Sequence, residues 1–97
     1  MRSRPRRAWN GKRCTIIGTA APDALRGTSK PDVLCGFGGD DAISGAGGSD
    51  VIDAGPGDDT ILARDRRKDT IHGGTGHDQA QIDARLDRMS GVEETIP

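Results

Sequence analysis

Between Gly18 and Ser90 the sequence repeats a frame nine residues long, and that period constrains the fold more than any other feature. The frames read GTAAPDALR, GTSKPDVLC, GFGGDDAIS, GAGGSDVID and AGPGDDTIL; after a ten-residue frame, ARDRRKDTIH, come GGTGHDQAQ and IDARLDRMS. Aspartate holds the sixth place at Asp23, Asp32, Asp41, Asp50 and Asp59, and, after one inserted residue, at Asp69, Asp78 and Asp87. The eighth place is aliphatic at Leu25, Leu34, Ile43, Ile52, Ile61 and Ile71, then weakens to Ala80 and Met89. Aspartate is 13 of 97 residues, so five consecutive hits in phase arise by chance on the order of 10⁻⁵ to 10⁻⁴ of the time in a fixed register.

Nine residues match neither a heptad nor the 3.6-residue turn of a helix, and each glycine would cost a helix about 1 kcal/mol. The frame fits a six-residue glycine-rich turn followed by a three-residue strand whose middle side chain points inward. Places seven and nine then face outward, as Ala24, Ala42, Thr60 and Thr70, and Arg26, Ser44, Asp53 and His72, agree; Val33, Val51 and Leu62 are apolar exceptions. Two frames make one coil of a flattened solenoid, and residues 18 apart stack at about 4.8 Å. Asp41, Asp59 and Asp78 then form a column along one edge, and Asp32, Asp50 and Asp69 a column along the other. Such columns repel unless something screens them.

Composition says the coil needs help. Only 32% of the residues are hydrophobic and the aromatics are Trp9 and Phe37 alone, too little for an ordinary globular core in a chain this short. The six arginines and lysines among the first thirteen residues carry +6, which against a whole-chain net charge of −1 leaves −7 on residues 14 to 97. Carboxylates about 5 Å apart, beside glycine turns with free carbonyls, make a set of hard oxygen ligands that suits calcium. Zinc would require cysteine and histidine clusters, and magnesium a stricter octahedral geometry.

These frames resemble the hemolysin-type, or RTX, nonapeptide repeat GGxGxDxUx, a calcium-binding repeat. GGTGHD (73 to 78) meets every fixed position; AGPGDD (54 to 59) misses only the first glycine; GFGGDD and GAGGSD miss the second but keep Gly39 and Gly48 at the fourth. The resemblance spans roughly residues 18 to 81. It implies an all-β fold, a right-handed parallel β-roll (β-solenoid) of about four coils with each ion held between two stacked loops. On this chain Asp41 with Asp59 would share one ion and Asp59 with Asp78 the next, beside the turn carbonyls near Gly39, Gly57 and Gly76; Asp50 is a further ligand on the opposite edge. GTAAPD and GTSKPD lack the inner glycines and place proline before Asp23 and Asp32, so poor or empty sites are expected there. In ARDRRKDTIH, the cations Arg64, Arg66, Arg67 and Lys68 are expected to neutralise Asp50 and the edge near Asp69.

The rest of the chain is less specific. Residues 1 to 13 read as a flexible basic arm, 14 to 17 as a capping strand and 82 to 97 as a C-terminal cap. The arm could engage nucleic acid or an anionic surface, a reading disfavoured by its single aromatic and its lack of a fold. Cys14 and Cys35 suit a disulfide in an oxidising compartment and equally two thiols; in strict register they stand some 10 Å apart, so a bridge requires the N-terminal cap to leave register. No apolar run reaches the ~18 residues of a membrane span, and no signal peptide is evident. His72 lies at an outward ninth place and His77 at a variable fifth place, and no catalytic motif accompanies them. The expectation is a secreted, extracellular calcium-binding module without catalysis of its own, whose protein or glycan partner the sequence leaves open. The alternative is the C-terminal module or remnant of a larger secreted hydrolase, adhesin or toxin.

Overall fold

The computed structural model describes residues 11–63, 68–81, 88–92 and 94–95. Among the described residues ten short strands follow the frame without a helix: β1 (Ile16–Ile17), β2 (Ala24–Arg26), β3 (Val33–Cys35), β4 (Ala42–Ser44), β5 (Val51–Asp53), β6 (Thr60–Leu62), β7 (Thr70–His72), β8 (Gln79–Gln81), β9 (Arg88–Ser90) and β10 (Glu94–Thr95). Each full strand is places seven to nine of a frame. The odd strands form one parallel sheet, β1-β3-β5-β7-β9, and the even strands the other, β10-β8-β6-β4-β2. The pairing is the expected offset of 18: Leu25 opposes Ile43, Ile43 opposes Ile61, and Leu34 opposes Ile52. Past the ten-residue frame the offset becomes 19 and the phase is kept, Ile52 facing Ile71 and Ile61 facing Ala80. This is a parallel β-solenoid of about four coils.

The eighth-place side chains fill the space between the sheets. Leu34, Ile43, Ile52, Ile61, Ile71 and Ala80 are buried, joined by Ala54 and Ala63 at the first place of their frames, with Ile16, Leu25 and Val92 packed against them. The core is one side chain wide, so it depends on the turns keeping successive coils in step. Of the apolar outward residues, Leu62 is exposed. Val51 is not: it belongs to a second cluster with Cys14 and Cys35, against which Val33 and Phe37 pack.

Cys14 and Cys35 are joined in a disulfide with a Cα–Cα distance of 5.9 Å. The register holds at Ile16 and Ile17, opposite Leu34 and Cys35. Thr15 keeps the same offset, its N–H donating to the Val33 carbonyl at 2.8 Å and its Oγ1 accepting the Val33 N–H at 3.0 Å, and register is left at Cys14, which meets Cys35 instead of Asp32. This departure closes the 10 Å gap and lays the bridge over the outer face of β3 and β5. Residues 1 to 10, with Trp9 and most of the basic arm, lie outside the described residues. In the expected C-terminal cap, β9 extends the odd sheet and β10 lies beside β8.

Candidate metal centre

Every loop that carries a fourth-place glycine has the same backbone. Gly39, Gly48, Gly57 and Gly76 all have positive φ, and so does the second place of each loop, at Phe37 (59°), Ala46 (58°), Gly55 (80°) and Gly74 (82°). The double left-handed turn explains why the repeat asks for glycine twice, and Phe37 and Ala46 adopt it without being glycine. It also turns carbonyls toward the adjacent coil. A Cβ on Gly57 would run into the Gly39 carbonyl, one on Gly76 into the Gly57 carbonyl, and one on Gly55 into that of Phe37. These oxygens lie between stacked loops, where an ion would need them.

The sixth-place aspartates line the inner side of the loops in two columns, as their spacing predicts. Asp41 and Asp59 are 2% and 1% exposed, and Asp50, Asp69 and Asp78 are buried as well. The columns are bonded along their length, which sequence reasoning missed. The Asp23 N–H donates to Asp41 Oδ1 at 2.8 Å, the Asp41 N–H to Asp59 Oδ1 at 2.7 Å and the Asp59 N–H to Asp78 Oδ1 at 2.9 Å. On the other edge the Asp32 and Asp50 amides donate to Asp50 and Asp69 Oδ1 at 2.8 and 2.7 Å. Each carboxylate thus pins the coil before it through one oxygen.

The second oxygen is the informative one. Oδ2 of Asp41 and of Asp59 is buried with no hydrogen-bond partner. A buried carboxylate oxygen without a donor costs free energy and calls for a proton or a cation. Burial foremost, helped by the negative charges of Asp78 and Asp41 and opposed by the Asp41 N–H, accordingly pushes the Asp59 carboxyl up to about 7. Asp41 is raised for the same leading reason, burial. At neutral pH the ion-free column therefore holds the Asp59 carboxyl close to its titration point, from which a divalent cation can displace a proton.

The first-place glycine completes the cradle: a Cβ on Gly36 would stand 2.6 Å from both Asp41 Oδ2 and the Ala54 carbonyl oxygen. Among the described residues no three His, Cys, Asp or Glu side chains converge on one point. The oxygens gathered here are stacked carboxylates and backbone carbonyls, which suit calcium rather than zinc.

Residues 17–52, 36–65 and 67–80 match the family model of the RTX calcium-binding nonapeptide repeat, in four copies. The chain belongs to the RTX repeat family. RTX repeats bind calcium within a β-roll, and the buried aspartate stack of this RTX chain fits calcium-binding turns. The family is a structural, non-catalytic repeat. No curated protein and no solved structure shows significant similarity to the chain.

The remaining singled-out residues divide between the edge and the outer face. A second column runs outside the first at the fifth place, where the Asp58 N–H donates to Asp40 Oδ1 and the His77 N–H to Asp58 Oδ1, each at 2.8 Å. His72 stands apart on the outer face, its Nδ1 2.9 Å from Ser90 Oγ. Of the four cations expected to neutralise the Asp50 edge, Arg64, Arg66 and Arg67 lie outside the described residues, and Lys68 is exposed. No helix among the described residues is long and apolar enough to cross a membrane.

Proposed function

We propose that the chain is a calcium-folded extracellular module in which Asp41, Asp59 and Asp78 hold two ions in line, one between each pair of stacked loops. The carbonyls at Gly39, Gly57 and Gly76 and at the second-place residues Phe37 and Gly55 complete the ligand sets, and Asp50 serves the opposite edge. The observation that carries this reading is the buried, unbonded Oδ2 of Asp41 and Asp59 beside carbonyls aimed into the same gap. Calcium bound to the folded state alone stabilises it by mass action and removes the repulsion within the column. Extracellular calcium modules bind at about 10⁻⁴ to 10⁻³ M, so the millimolar ion outside a cell loads these loops while cytosolic levels leave them empty. The Cys14–Cys35 disulfide supports the same compartment, since such bonds persist where the medium is oxidising. Residues 14 to 97 act in this reading as one unit, with the arm of residues 1 to 13 outside it and no catalysis in either.

Calorimetric titration of the chelated chain with calcium, and separately with magnesium, tests the assignment. Calcium binding should release protons and heat, magnesium should do so weakly, and Asp59→Ala should remove both ions of the Asp41–Asp59–Asp78 column because Asp59 serves two gaps. Unchanged stoichiometry in Asp59→Ala would place the ions elsewhere.

A further inference from the structure

The first two loops of the solenoid share the sixth-place aspartate but treat it differently. In GTAAPD, the Thr19 N–H donates to Asp23 Oδ2 at 2.6 Å and the Thr19 hydroxyl reaches Oδ1 and Oδ2, each at 3.1 Å. The same hydroxyl accepts the Ala21 N–H at 3.1 Å. GTSKPD repeats the arrangement: Thr28 N–H to Asp32 Oδ2 at 2.6 Å, the Thr28 hydroxyl to Oδ1 and Oδ2 at 3.2 and 3.1 Å, and the Lys30 N–H to Thr28 Oγ1 at 3.1 Å. Neither threonine has the positive φ found at the second place of the glycine loops, and neither Ala21 nor Lys30 has the positive φ of the fourth place.

We infer that Thr19 and Thr28 are built-in substitutes for the metal, locking the first loop on each edge closed so that these two loops fold without calcium and exclude it. This rests on the calcium reading above. The oxygen that is unbonded in Asp41 and Asp59 is, in Asp23 and Asp32, already taken by a backbone N–H and a hydroxyl. Two donors aimed at the carboxylate are incompatible with a cation at the same oxygen, because an N–H and an O–H present positive charge where the ion would sit. Pro22 and Pro31, directly before each aspartate, fix φ at their own positions at the end of the turn. The locked loops lie at the N-terminal end, next to the disulfide that fastens Cys14 to the second frame. They form a metal-independent first coil whose strands β2 and β3 present edges on which β4 and β5 stack once the next loops fill.

The lock is tested by opening it. The triple substitution Thr19→Gly, Ala21→Gly, Pro22→Ser turns GTAAPD into a glycine loop facing Asp41; the double substitution Ala21→Gly, Pro22→Ser relaxes the backbone but keeps the threonine. Native mass spectrometry in calcium should show one ion more than the wild type in the triple variant and the wild-type number in the double. An equal number in the triple variant and the wild type, or an extra ion in the double variant, would overturn the inference. A wild-type chain that takes up no calcium would instead overturn the underlying metal assignment. Hydrogen exchange of the unaltered protein in chelator supplies a readout that does not depend on the variants folding. The Thr19 and Thr28 amides should stay protected while the glycine-loop amides exchange freely, and Thr19→Val should weaken the protection at residue 19. Equal exchange of all loops in chelator contradicts a metal-free first coil.

Discussion

Asp59 shows how one residue type does two jobs in this chain. Oδ1 accepts the amide of Asp41 and so sets the spacing of two coils, while Oδ2 is left buried and unbonded. An aspartate ordinarily titrates near 3.8, and Asp59 in the ion-free fold titrates near 7. The raised value means that the fold binds a proton the unfolded chain has already released. The penalty for folding is thus absent below about pH 4, grows through the window between the two values and is complete above about pH 7. In chelator the melting temperature should rise as pH falls from 7 to 5, whereas calcium affinity should fall over the same range because protons compete for the same oxygens. Thermal melts in chelator and calcium titrations at pH 5, 6 and 7 check both signs; parallel trends would contradict them. Ala46 offers a different residue-scale test. At φ 58° its Cβ costs about 1 kcal/mol relative to glycine. Ala46→Gly should therefore stabilise the calcium-loaded form by about that amount in a urea melt.

At the scale of strands and loops, the period alone predicts nearly everything that repeats. Places seven to nine became strands, the eighth place became the core, and an offset of 18 became the pairing, lengthening to 19 across the ten-residue frame so that the inward side chains stay in phase. The features that were not legible are those without a period. The Cys14–Cys35 bridge depends on Cys14 leaving register, and nothing in CTII signals that departure. The second-place left-handed turn was hidden because Phe37 and Ala46 occupy it in two loops, and the threonine contacts were hidden because GTAAPD reads simply as a degraded frame. Replacing both cysteines with serine should cost about 2 to 4 kcal/mol. It should leave calcium stoichiometry unchanged, since the bridge lies on the outer face of β3 and β5. Ile52→Ala, at a site 0% exposed, should cost about 2 to 5 kcal/mol. Denaturant melts in saturating calcium measure both, and a lost ion in the cysteine variant would mean that the bridge shapes the loops after all.

Across the whole molecule, a core one side chain wide and two ladders of buried carboxylate leave folding dependent on what neutralises the ladders. The first coil carries its own donors in Thr19 and Thr28, and the glycine loops beyond it wait for an ion. The chain should therefore add order from its N-terminal end as calcium rises. Far-UV circular dichroism of the chelated chain at neutral pH, titrated to millimolar calcium, tests this most directly. The account predicts weak β signal without the ion, a cooperative gain on adding it, and reversal by chelator. A full β spectrum in chelator that calcium leaves unchanged would contradict it.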